Sequence, residues 1–228
     1  MKNLKLISIL LSYPEPSWFC EFDNMIEYIN ADQEFTPEQK QKLLEFIELL
    51  SSEDVLDSQE RYVATFDRGR SVSMLLFEHI HGESRDRGQA MVDLLHTYES
   101  RGFELSVSEL PDHLTVFLEF LSQCAPEESV LWLSEVSNIL VLICSRLYER
   151  QNPYSDLFKI LCELGGITEF DNQTLNQVKL EPRDDTPDAL DKVWEEEAVR
   201  FVGNNVMGGV PASSDQQSIN DLTLKSIS

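Results

Sequence analysis

A chain of 228 residues can bury a real core and defaults to one main domain. Its formal net charge of -23 argues against nucleic acid and against anionic membrane surfaces, which need neutralising lysines and arginines; it favours a basic partner or serves solubility alone. The hydrophobic content of 42% is ordinary for a globular protein, and Cys20, Cys124, Cys144 and Cys162 lie far apart with no CxxC, so a zinc ribbon or thioredoxin-like site is not indicated and a reducing cytoplasm fits.

The N-terminal stretch MKNLKLISILLSYPEP begins like a signal peptide, with Lys2 and Lys5 ahead of the apolar run Leu6 to Leu11. That run is short, lacks an A-x-A cleavage site and soon meets Pro14, Glu15 and Trp18, so it reads as a first amphipathic helix. No run approaches the roughly 18 apolar residues of a membrane span. Thr36-Pro37-Glu38 supplies an N-cap, an N1 proline and an early acid, which predicts a helix from about Pro37. Leu43, Phe46, Ile47 and Leu50 continue it at the spacing of a helix with one apolar face.

Between Tyr62 and Leu95 the apolar pattern breaks around a charge-balanced island. Arg68, Arg70, Arg85 and Arg87 stand there among Asp67, Glu78, Glu83 and Asp86, with His79 and His81 between them. The two histidines would point about 200° apart on a helix, which discourages a shared metal, and neither HExxH nor ExxH pairs occur. Gly82 is expected to break a helix that the histidines cap or hydrogen-bond. A second helix restarts through Glu83, Arg85, Asp86 and Arg87, either as local ion pairing or as a hinge whose arginines fix carboxylates in place.

The restarted helix carries Met91, Leu94, Leu95 and Tyr98 on one face and should stop at Arg101-Gly102. Ser108 to Asp112 is read as opening the next helix, with Leu114, Phe117, Leu118 and Leu121 on one face. On a helical wheel Asp112 and Glu119 align on the opposite face, with Val116 and Phe120 beside them and His113 flanking. An outward face mixing carboxylates with Val and Phe suits a groove for a peptide with a basic head and an apolar stretch; for Asp112 alone, complementing the helix dipole is the simpler reading.

Two further helical matches, Val136-Ile139-Leu140-Ile143 and Leu157-Ile160-Leu161-Leu164, are separated by Asn152-Pro153. With no sustained two-residue alternation, the fold class is all-α: a single compact multi-helix bundle over residues 1–166, closed by Gly165-Gly166. An acidic extension over 167–203 follows, where Thr186-Pro187 can cap a short helix carrying Leu190, Val193, Trp194 and Phe201. Residues 204–228, small and polar, are expected to be a disordered tail. No nucleophile elbow, P-loop or Rossmann glycine pattern occurs, and the four histidines assemble no convincing nucleophile, base and oxyanion stabiliser.

The segments FDRGR, LLFEHIHGESRDRGQAMVDLL, ELPDHL and DDTPDALDKVWEEE closely resemble the NarJ/TorD/DmsD redox-enzyme maturation chaperones, and within them the nitrate reductase assembly chaperones. The likeness runs from about Leu4 to Phe201 and is most specific between Tyr62 and Leu121. It implies a TorD-like all-helical chaperone, not an enzyme and not part of the finished oxidoreductase. Such a chaperone would bind the apo catalytic (alpha) subunit of respiratory nitrate reductase in the cytoplasm, including its N-terminal segment, which looks like a remnant twin-arginine signal. It would hold that subunit until iron–sulfur and molybdenum cofactor insertion is complete, before membrane docking, with no cofactor of its own; molybdenum cofactor delivery proteins are further expected partners. The Leu-Pro-Asp-His-Leu motif matches the family's signal-peptide-binding element at Asp112 and His113, and Leu76 to Arg87 matches its other marked region.

The resulting expectation is that Phe77, Asp112, His113, Val116, Glu119 and Phe120 contact the client, while His79, His81, Gly82, Glu83, Arg85, Asp86 and Arg87 form a hinge and rim. Reversing Asp112 and Glu119 to lysine should then weaken client binding without unfolding the chain. The rival readings are a metal- or cofactor-binding helical enzyme using His79, His81 and His113, and a permanent structural subunit of the oxidoreductase.

Overall fold

The computed structural model describes residues 1–82, 84–105, 109–170, 172–192 and 195. In chain order its helices are α1 (Lys2–Leu10), a 3-10 turn (Pro16–Cys20), α2 (Phe22–Ala31), α3 (Pro37–Ser51), α4 (Val55–Phe66), α5 (Leu76–His81) and α6 (Arg85–Ser100). The second half holds α7 (Leu114–Gln123), α8 (Pro126–Glu135), α9 (Ser137–Glu149), α10 (Tyr154–Leu164) and α11 (Asn172–Leu180). Among the described residues extended pairing is confined to one isolated antiparallel bridge, Leu75 to His113, so the fold is all-α. Met1–Leu190 forms one compact unit that takes in α11 and the strap after it, and Asp191–Ser228 falls in a second. Val193, Trp194, Phe201 and the tail expected from 204 onward lie outside the described residues.

The local signals explain where the helices begin and end. Thr36 and Gln39 close a reciprocal box: Gln39 N donates to Thr36 Oγ1 at 3.2 Å and Thr36 N to Gln39 Oε1 at 3.0 Å, satisfying two donors at the α3 entrance. α6 stops at Arg101 with Gly102 at φ 74, a left-handed position that glycine occupies without cost. At the α9–α10 corner Asn152 Oδ1 accepts from Tyr154 N at 3.0 Å while Asn152 Nδ2 donates to Thr65 Oγ1 at 2.8 Å, tying the corner to α4. α7 begins at Leu114 rather than at Asp112, because Asp112 is engaged elsewhere.

α1 and α7 lie against each other at the centre, where Leu4, Ile7, Leu10 and Leu11 meet Leu114, Leu118 and Leu121 with no exposed surface. α9 and α10 form the second close pair, and α3 bridges from α10 to α2. Aromatic rings join α3, α4 and α10: Tyr154 stands 5.1 Å from Phe46 and 4.9 Å from Phe66, both edge-on, an arrangement worth about 0.5–1.5 kcal/mol per pair beyond area burial.

Candidate functional site

The Leu110-to-Leu114 motif is pinned to the start of α5. Leu114 N donates to Met74 O at 2.8 Å and Leu76 N to Asp112 O at 3.0 Å, so residues 74–76 and 112–114 run side by side. The Asp112 side chain then does for α5 what an N-cap normally does from within the helix. Its Oδ2 accepts from Phe77 N at 3.2 Å, and the Arg87 guanidinium of α6 reaches the same oxygen at 3.5 Å. Tyr98 of α6 donates its hydroxyl to Pro111 O at 2.9 Å, and burial, with Asp112 nearby, raises its phenol well above the ordinary range. One motif therefore locks α5, α6 and α7 together.

This geometry corrects the expected outward face. Asp112 has no exposed side-chain surface, and Val116 and Phe120 are 5% and 2% exposed. Phe120 lies 4.5 Å from Tyr98, 5.7 Å from Phe103 and 6.3 Å from Trp132, so the side of α7 opposite α1 faces α6 and α8 instead of solvent. A helix apolar nearly all round belongs to the interior, and a wheel drawn on it cannot say which side is wet. Glu119, half-exposed, is paired with Lys5 of α1. Lysine at Asp112 would have to be buried against Arg87, so the Asp112 half of that reversal is expected to cost stability as well as any client contact.

The residues expected to form a hinge and rim divide. Gly82 ends α5 at φ 55, a conformation open to glycine. His79 Nε2 donates to Ser73 O at 2.8 Å, His81 faces Phe77 edge-on at 5.9 Å, and Arg87 reaches Asp112. Arg85 and Asp86 are exposed at the start of α6, and Glu83 lies outside the described residues. Burial lowers His79 and His113 below the usual imidazole range, in His113 against the opposing pull of Asp112, and His113 Nδ1 shares a 2.7 Å hydrogen bond with Thr115 Oγ1. His79 and His113 are thus both hydrogen-bonded within the chain, and the described residues bring together no group of three His, Cys, Asp or Glu that could hold a metal.

On the other flank of the motif opens a cleft of about 440 Å³. Tyr62, His113 and Val116 line it together with Tyr13 and Leu110, both more than two-fifths exposed. Tyr13 and Tyr62 meet edge-to-face at 5.5 Å, and burial together with Asp67 pushes the Tyr62 phenol up to about 12. Glu15 and Glu109 add carboxylates to its lining. The arrangement can take an extended or helical segment with apolar side chains and a positive charge. His113 and Val116 were expected from sequence; Tyr13, Glu15, Tyr62 and Glu109 were not. The signals available were an aromatic and an acid around Pro14, and an acid just ahead of the Leu-Pro-Asp-His motif.

Comparison with known proteins places this chain in a family. The nitrate reductase delta subunit family model matches residues 30–159. The nitrate reductase molybdenum cofactor assembly chaperone NarJ of Escherichia coli (strain K12) is 42% identical over 217 residues, 95% of this chain and 92% of that protein. The probable assembly chaperone NarW of the same strain is 43% identical over 90% of this chain and 86% of its own length. A probable NarJ of Bacillus subtilis (strain 168) is 35% identical over 68% of this chain and 83% of its own. The chain belongs to the nitrate reductase delta subunit family.

Proposed function

We propose that this chain is a non-enzymatic assembly chaperone for a respiratory nitrate reductase. The observation that carries the reading is the near-full-length likeness to Escherichia coli proteins named for that role. The client is the cofactor-free catalytic (alpha) subunit, bound in the cytoplasm, and its N-terminal segment occupies the cleft beside the Leu-Pro-Asp-His motif. Apolar client side chains lie against Tyr13, Tyr62, Leu110 and Val116, and its basic groups meet Glu15 and Glu109. The charge of -23 steers a basic segment towards the chaperone. Asp112 and Arg87 act from inside as positioning residues, holding the cleft's His113 edge against α5 and α6.

Molybdenum cofactor is the client's cargo in this scheme. The chaperone binds the immature conformation and so holds it available by mass action; loading of molybdenum cofactor and iron–sulfur centres removes that conformation and releases the client. The test is retention of catalytic subunit on the immobilised chain. Cofactor-free subunit should be held and cofactor-loaded subunit should pass through. Equal retention of both would overturn the reading, and equal stoichiometry of this chain in the mature enzyme would favour a permanent structural subunit.

A further inference from the structure

A second polar assembly lies where the strap after α11 returns to the FDRGRS loop. Ser71 N donates to Asp184 Oδ2 at 2.8 Å and the Ser71 hydroxyl to Asp184 Oδ1 at 2.6 Å. Arg150 Nη2 reaches Asp184 Oδ1 at 2.9 Å and Ser71 Oγ at 2.6 Å. One turn earlier on α9, Arg146 donates to Ser71 O at 2.7 Å and grips both oxygens of Glu181 at 2.8 and 3.1 Å. Asp185 lies 3.6 Å from Arg150 and 2.7 Å from Arg183. A Cβ at Gly69 would stand 2.7 Å from the Asp184 carboxylate, so the loop admits an acid there because residue 69 is glycine. Burial alone would raise the Asp184 carboxyl, but Ser71 and Arg150 outweigh it and hold the group below the usual carboxylate range.

The holder and the held differ in how they are anchored. Arg146 projects from α9 and Arg150 from the cap residue that ends it, beside the buried Ile143 and Leu147, and Ser71 adjoins Val72, which is fully buried. No residue of the strap 181–190 is fully buried, although the Asp185 side chain is only a tenth exposed, and Leu180 at its start is 86% exposed. Beside these contacts lies a cleft of about 180 Å³ lined by residues of both, among them Arg146, Arg150, Val178 and Pro182. Charge-assisted hydrogen bonds, rather than apolar burial, keep the strap in place. A chain with 41 acids against 18 basic residues has thus concentrated two largely buried arginines at the end of one helix and covered them with its own acids.

We propose that Ser71, Arg146 and Arg150 form a docking site for an acidic segment of a partner polypeptide, with the strap as its resident competitor. A polypeptide fits better than a small oxyanion because the cradle engages three carboxylates spread from Glu181 to Asp185 along one stretch of chain. The tether presents the strap at high effective concentration, so a partner gains the site only where the strap has lifted. This site is independent of the cleft proposed for the client's basic segment.

The experiment uses full-length chain and a fluorescein-labelled peptide of residues 180–190 followed by anisotropy. Glu181→Ala/Asp184→Ala/Asp185→Ala, which weakens the resident strap, should bind the peptide roughly tenfold more tightly than the unaltered chain. Adding Arg150→Gln to that variant should abolish the gain; Ser71→Ala provides the same test should Arg150→Gln fail to fold by circular dichroism. No binding to the strap-weakened variant, or binding indifferent to both Arg150 and Ser71, would overturn the proposal. Displacement of the peptide by inorganic phosphate at equal concentration would also overturn it, by showing a site for small oxyanions.

Discussion

Replacing Asp112 by alanine would strip the Phe77 amide of its acceptor and leave the Arg87 guanidinium, four-fifths buried, without its carboxylate. The expected cost is about 2–3 kcal/mol, read as a lower urea midpoint; Asp112→Asn, which keeps an acceptor for Phe77, should lose less. Equal losses in the two variants would show that the amide cap contributes nothing. His79 and His113 predict a pH effect at the same scale. Burial holds both folded pKa values below the unfolded one, so the unfolded chain takes up protons first as pH falls. Their contribution is whole above about pH 6.5 and is lost as pH drops through the folded values, so the urea midpoint should fall from pH 7 towards acid. His113→Gln should flatten part of that slope, and an unchanged slope would remove His113 from the account. Asp112 and His113 could be singled out from sequence by their motif. Their burial could not, because the amide that Asp112 caps is 35 residues away.

At the scale of elements, the Gly82 break is a conformational device: at φ 55 an added Cβ would touch nothing within 4 Å, so the cost of alanine there is backbone strain alone. Gly82→Ala should destabilise the chain by about 1–2 kcal/mol, and a loss near zero would mean the break tolerates ordinary residues. Helices α3, α6, α7, α9 and α10 were legible from apolar spacing, and the α3 entrance from Thr36-Pro37, because both signals are local. The environment of α7 was not legible. Leu114, Phe117, Leu118 and Leu121 mark one buried face, but Val116 and Phe120 are just as buried against partners that local sequence does not name. The cleft escaped for the same reason: Tyr13 ahead of the 3-10 turn, Tyr62 from α4 and Leu110 ahead of α7 meet only once the chain is folded.

At the scale of the whole molecule, the acidic excess is unevenly used. Glu15 and Glu109 leave negative charge at an apolar cleft, while Glu181, Asp184 and Asp185 spend theirs on the chain's own arginines. The net charge was plain in the sequence, but this division of labour needed the return of the strap to Ser71. No single described helix is long and apolar enough to cross a membrane. On the proposed function, the cleft grips the N-terminal segment of an immature catalytic subunit. Calorimetric titration of the full-length chain with a synthetic peptide of that segment tests it most directly. Single-site binding should weaken roughly tenfold in Glu15→Lys/Glu109→Lys and hold within about twofold in Glu119→Lys, whose carboxylate is already paired with Lys5. Unchanged affinity in the double reversal, with the helical circular dichroism intact, would contradict the assignment.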